Sequence, residues 1–161
     1  RYKIKENINI FIEKGRKYVR NEFDKSIPFM DGFKMLHKRI SPHLLMGLVT
    51  ASPIIILNKI NKINKLNNFF NHILSGEEAF KNKPHPAPYL LMMNTLNLIP
   101  QNTIIIEDSL TGLDSALATD AHVIAKTGSV PTNKLLHIKN RINHLNEITI
   151  EFLEDILQST K

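Results

Sequence analysis

Three consecutive isoleucines running straight into two carboxylates constrain this chain more than any other stretch. Ile104-Ile105-Ile106, led by Thr103, is β-branched throughout and predicts a strand. Glu107-Asp108-Ser109 follow without a spacer. Two carboxylates at the mouth of a buried strand are costly unless opposite charge neutralises them. Polar residues here collect where strands end, which is where open α/β sheets place their sites. A helix is expected after this strand, over about 112–119.

The same order of strand, polar turn and helix recurs along the chain. Leu44-Leu45-Met46-Gly47-Leu48-Val49 is a short unbroken apolar run, suited to a strand buried on both faces of a parallel sheet. It ends at Thr50-Ala51-Ser52-Pro53, where Ser52 reads as a helix N-cap and Pro53 as the first helical residue. Leu57, Ile60, Ile63 and Leu66 would give that helix its apolar face. Residues 70–74 and 121–125 read as further strands, 89–96 and 153–157 as helices. Ahead of these, Ile4, Ile8, Phe11, Ile12, Gly15, Tyr18, Val19 and Phe23 recur at helical spacing and predict an amphipathic helix over 5–22. Pro28 and Asp31-Gly32 break the chain, and 32–38 reads as a short helix with Phe33, Met35 and Leu36 inward. Strands alternating with helices define an α/β fold, with a parallel sheet and helices on both faces.

At 161 residues the chain has the size of a single domain. It contains no cysteine, which excludes disulfides, thiolate metal sites and cysteine nucleophiles. No apolar run approaches the length of a membrane span, so no membrane partner is expected. The net charge is +6 and the isoelectric point about 9.6. This basic excess follows a general over-use of Lys, Asn and Ile, as in Asn58-Lys59-Ile60-Asn61-Lys62-Ile63-Asn64-Lys65. With three Tyr, no Trp and scattered lysines, a nucleic-acid partner is not expected. No secretory signal opens the chain, and the expected compartment is the cytoplasm. The chain begins with Arg1 and not Met, as a piece of a longer product would.

Three clusters could carry chemistry. Thr50, the Ser52 side chain and the free N–H groups of the helix start face one spot between a strand end and a helix, a ready anion site. Lys83 lies in the rigid loop Lys83-Pro84-His85-Pro86, able to aim an ammonium at a phosphate. Glu107 and Asp108 are hard oxygen donors of the kind that suit Mg²⁺. Neighbours on a strand point to opposite faces, so Asp108 is expected as the direct ligand, with Glu107 behind it. The seven histidines form no metal-binding spacing.

Taken together these motifs resemble the haloacid dehalogenase superfamily, in particular its phosphatase and β-phosphoglucomutase-like members with a helical cap. The resembling segments are the strand ending at Thr50-Ala51-Ser52, then Lys83-Pro84-His85-Pro86 with Tyr89-Leu90-Leu91 after it, then Ile104-Ile105-Ile106-Glu107-Asp108-Ser109 with Gly112 following. Pro28-Phe29-Met30-Asp31-Gly32 resembles the passage from cap to core. The resemblance implies a Rossmann-like core over 27–161 and the last part of a helical cap over 1–26. It implies that Thr50, Ala51, Ser52 and Lys83 bind a phosphoryl group, that Lys83 and Thr50 take part in catalysis, and that Asp108 with Glu107 holds Mg²⁺. The substrate implied is a small phosphorylated metabolite.

The sequence departs from the family in two places. Ala118-Thr119-Asp120-Ala121 stands where the family has a glycine turn. More seriously, no Asp-x-Asp occurs anywhere in the chain. In the family that motif ends the first, central strand and supplies the nucleophile and the general acid/base. The core is therefore expected to lack its first strand, with the nucleophile upstream and no turnover from these 161 residues alone. The alternatives are a catalytically inactive, truncated or degenerate phosphate-binding protein, or a sugar-phosphate mutase of the same fold.

Overall fold

The computed structural model describes residues 8, 10, 11, 13–15 and 27–159. Those described before residue 16 are helical and exposed. The remainder of the helix expected over 5–22, and with it most of the cap expected over 1–26, lies outside the described residues.

Among the described residues from 27 onward, five parallel strands and five α-helices alternate, except that β5 follows β4 with no α-helix between them. Helix α1 (Phe33–Ile40) leads to β1 (Gly47–Val49), α2 (Ile54–Asn64), a 3₁₀ turn (Leu66–Asn68) and β2 (His72–Leu74). Then come α3 (Ala87–Thr95), β3 (Ile104–Glu107), α4 (Leu110–Leu117), β4 (His122–Lys126), β5 (Asn140–Ile142) and α5 (Ile150–Gln158). The strands form two separate ladders. β1 pairs with β2, Leu48 opposite Ile73. β3 pairs with β4 and β4 with β5, Ile105 opposite Val123 and Ala125 opposite Arg141. No ladder joins β1 to β3 among the described residues.

Strand alternation sorts the apolar side chains onto two faces. On one, Ile105, Val123 and Ala125 pack with Tyr89 and Met93 of α3 and Leu113 and Ala116 of α4. On the other, Ile124 and Ile142 pack with Leu36 and Ile40 of α1 and Leu153 and Ile156 of α5. The α/β fold with a parallel sheet and helices on both faces is thus the observed architecture. Ile106, in the middle of β3, stays 37% exposed.

Several local expectations are corrected. The run 44–49 is not a strand buried on both faces: Leu44 and Leu45 are exposed, Leu45 by 53%. The ladder starts at Gly47 because Asn71 closes it off, its side chain accepting from the Met46 N–H at 2.8 Å and its N–H donating to the Met46 carbonyl at 2.7 Å. Met35 points outward at 61% exposure, while Leu36 is buried. On α2 Leu57 is buried, Leu66 is buried in the 3₁₀ turn beyond, and Ile63 is exposed. Ser52 is not an N-cap. The helix begins at Ile54, after Pro53, with no side-chain cap.

Two other helix starts do use a cap. The Ser109 hydroxyl accepts from the Gly112 N–H at 3.1 Å and that of Thr149 from Phe152 at 3.1 Å. The turn into β4 is held without glycine. Asp120 takes a φ of 63°, and buried Thr119 donates to the Ala116 carbonyl and accepts from Ala121.

Candidate active site

The polar residues singled out from the sequence collect at the carboxyl ends of β1 and β3. Thr50 follows β1 directly and prolongs its ladder, its N–H donating to the Leu74 carbonyl at 3.0 Å. Its hydroxyl accepts from the Ser52 N–H at 3.1 Å, curling the chain into a tight turn. That bond uses the oxygen as acceptor and leaves the hydroxyl proton free to donate. The Ser52 carbonyl in turn accepts from the Gly76 N–H at 2.9 Å. Gly76 sits so close under Ala51 that a Cβ there would strike the Ala51 backbone. The turn after β2 thereby braces the turn after β1. Ser52 contributes to this bracing through its backbone.

Lys83 is carried by a loop that α4 and α3 hold from behind. The Ser115 hydroxyl, fully buried in α4, donates to the His85 carbonyl at 2.7 Å, and the His85 Nδ1 accepts from the Ala87 N–H at 3.1 Å. The Lys83 ammonium donates to the Val49 carbonyl at 3.2 Å and forms an ion pair with Glu107. It thus bridges the two ladders, linking the residue before Thr50 to the last residue of β3. Only 10% of the Lys83 side chain and 9% of the Glu107 side chain reach solvent.

Glu107 is the most heavily bonded group of the site. One carboxylate oxygen accepts from Lys83 and from the Tyr89 hydroxyl. The other accepts from the Ser109 hydroxyl at 3.1 Å and from the N–H groups of Asp108 and Ser109 at 3.2 and 3.4 Å. Burial by itself raises the pKa of this carboxyl. The hydrogen bonds from Lys83 and Tyr89, the Lys83 charge and the Ser109 bond outweigh it and hold the group below the ordinary carboxylate value. Tyr89 is pushed the other way, far above the ordinary phenol value, first by burial and then by the neighbouring Glu107 charge. The phenol is therefore a fixed neutral donor.

A depressed carboxyl pKa has a stability consequence with a definite sign. Glu107 stabilises the folded chain above the unfolded carboxyl pKa of about 4.3, and that contribution vanishes as pH falls through the lower folded value. The urea midpoint of the wild-type chain is expected to fall between about pH 5 and pH 3, and to fall less steeply in Glu107→Gln. Parallel pH profiles for the two proteins would contradict this.

Asp108 points away from its neighbour, its Oδ2 accepting from the Ser129 hydroxyl at 2.9 Å. Among the described residues no three His, Asp or Glu side chains converge as a metal cage. Mg²⁺ asks for less than that, since it is often held by one or two carboxylates with waters and a phosphate. Asp108, a partly exposed hard donor, fits that role. Glu107 has both oxygens occupied by donors. A cavity of about 550 Å³ lined by residues including Phe29, Phe33, Met35 and Ile63 contains none of these groups.

Residues 1–126 match the haloacid dehalogenase-like hydrolase family. This chain belongs to that family. Among its relatives, hexitol phosphatase A of Escherichia coli (strain K12) is 34% identical over 77 residues, covering 48% of this chain and 36% of the relative. Hexitol phosphatase B of Escherichia coli O157:H7 is 29% identical over 112 residues, covering 68% and 50% respectively. The chain therefore spans at most half the length of these two relatives. Among solved structures, a HAD hydrolase of family IA, variant 3, from Entamoeba histolytica HM-1:IMSS superposes with a TM-score of 0.79 at 26% identity, covering 94% of this chain and 70% of that one.

The structure brings Thr50, Lys83 and Glu107 together and sets Asp108 beside them. Three further residues reach the site: Tyr89, Ser109 and Ser129. In the sequence Tyr89 stands out only through its place in the motif, Ser109 only as part of the acidic segment, and Ser129 through nothing. The spacing of Tyr89, six positions after Lys83 and near the start of a helix, is the one signal that could have found it. Ser129 lies in the loop after β4 and has no local signature.

Proposed function

We propose that this chain is the phosphate-binding core of a Mg²⁺-dependent phosphomonoester hydrolase acting on a small phosphorylated metabolite in the cytoplasm. The observation that carries the reading is the bridge made by Lys83, whose ammonium joins the Val49 carbonyl, next to Thr50, to Glu107. A phosphoryl group seated there would meet the Thr50 hydroxyl, the turn at Ala51 and Ser52, and the Lys83 charge. Phosphoryl transfer needs mainly positioning and charge stabilisation, and these residues supply both. Mg²⁺, when bound, neutralises charge on the phosphoryl oxygens, with Asp108 as its ligand from this chain and Glu107 beside it. That curated relatives are hexitol phosphatases supports a small, polar, phosphorylated substrate.

The attacking carboxylate is the part this chain does not supply, since it holds no Asp-x-Asp. The separation of the ladders supports a place for it: a strand seated between β1 and β3 would bring a carboxylate at its end level with Thr50 and Asp108. On this reading 1–26 closes a helical cap and 27–161 is a core short of its first strand. The 161 residues alone are expected to bind inorganic phosphate without hydrolysing a phosphate ester. Lys83→Met is expected to weaken phosphate binding by about tenfold or more, the scale of one charge-assisted hydrogen bond. Equilibrium dialysis and a p-nitrophenyl phosphate assay test this. Mg²⁺-dependent hydrolysis by the purified chain, abolished in Asp108→Asn, would sink the claim that the nucleophile lies elsewhere.

A further inference from the structure

Tyr89 is the residue whose chemistry the proposed function leaves unused. It stands in the first turn of α3, buried to 7% exposure, among Ile105, Leu113 and Val123. A phenylalanine would fill that apolar space as well. The hydroxyl is costly to bury unless bonded, and it is bonded: it donates to the same Glu107 oxygen that receives Lys83. The Lys83 ammonium also lies 4.7 Å from the centroid of the Tyr89 ring, within the range of a cation–π contact. One side chain therefore touches both members of the ion pair, by different atoms.

We propose that Tyr89 is a positioning residue for the Lys83–Glu107 pair: its ring supports the ammonium and its hydroxyl pins the carboxylate that faces it. A flexible lysine stem has several ways to meet a carboxylate, and besides Glu107 the ammonium is held here by the Val49 carbonyl and the Tyr89 ring. The ring restricts the ammonium to one side of Glu107, and the hydroxyl fixes the carboxylate oxygen that faces it, as Ser109 and two backbone N–H groups fix the other. Of its three N–H groups, Lys83 then gives one to Glu107 and one to the Val49 carbonyl beside Thr50. The functional value of this placement rests on the phosphate-binding reading above; the placement itself does not.

The test separates the two. In the 161-residue chain labelled with ¹⁵N-lysine, the Lys83 ammonium is expected to give a resolved cross-peak near neutral pH, assigned by its loss in Lys83→Met. Ammonium groups held in a buried pair exchange slowly with water. In Tyr89→Phe, which keeps the ring, that exchange is expected to be about tenfold faster, the scale of one hydrogen bond to a charged group. Backbone amides of Ile105, Leu113 and Val123 should stay in place, showing that the core is intact. In Tyr89→Leu, which also removes the ring, the cross-peak is expected to be lost. An unchanged ammonium exchange rate in Tyr89→Phe, or no observable Lys83 cross-peak in the wild-type chain, would overturn the inference. Phosphate titration of the same samples reads the functional part. Absence of phosphate binding to the wild-type chain refutes the proposed function and leaves the positioning result standing.

Discussion

Replacing Glu107 by Ala is expected to cost the folded chain about 3–5 kcal/mol. The cost does not measure the worth of the ion pair. It measures an ammonium left nine-tenths buried, with the Val49 carbonyl and the Tyr89 ring as its remaining contacts. It also strands the Tyr89 hydroxyl, which loses its acceptor. Lys83→Met in the same background removes the unpaired charge and is expected to recover more than half of the loss, since apolar replacement of a whole buried pair is often neutral. Urea unfolding of the two variants decides the matter. A loss below about 1 kcal/mol for Glu107→Ala would show that the pair behaves as a solvated surface pair.

Gly112→Ala is expected to destabilise the chain by about 2 kcal/mol, against the usual sign. A helical glycine exchanged for alanine ordinarily gains about 0.5–1 kcal/mol. Here the three atoms nearest a new Cβ are all from the Glu107 carboxylate, at distances where something must move. The carboxylate is the end of a side chain, but it is pinned by Lys83, Tyr89, Ser109 and two backbone N–H groups and has nowhere to go. The decisive measurement is a double-mutant cycle with Glu107→Ala. With the carboxylate gone, Gly112→Ala should turn stabilising. A destabilisation that persists in that background would assign the effect to the helix itself.

The strands with the strongest apolar, β-branched composition were legible from the residues alone. Ile104 to Ile106 and the segment ending at Ala125 came out within a residue or so of their observed bounds, because a short apolar run rich in β-branched residues favours a strand even where one side chain, Ile106, stays exposed. β5 was not legible. Asn140-Arg141-Ile142 offers one apolar residue, and its place follows from β4 lying open beside it. The run at 44–49 was overextended because apolarity cannot tell where a ladder begins; a distant side chain, Asn71, sets that point. For the site, Thr50, Lys83, Glu107 and Asp108 were legible through their family spacing. The share taken by Tyr89 and Ser129 was not, since it depends on which hydroxyl the fold turns toward which oxygen.

The gap between β1 and β3 also determines how strain and heat would travel through the molecule. With no ladder joining them among the described residues, the two strand groups are coupled by α3, which packs on β1, β2 and α4. Met92 of that helix lies hard against Gly47 of β1, while Tyr89 and Met93 face Ile105 and Leu113. α3 therefore acts as a splint across a joint, and cooperativity between the two halves passes through its side chains together with the Lys83 bridge from Val49 to Glu107. Amide exchange should divide accordingly, with β1 and β2 losing protection as one unit ahead of β3, β4 and β5. A substitution that loosens the grip of Met92 on β1 would widen that difference while leaving the larger ladder as it was.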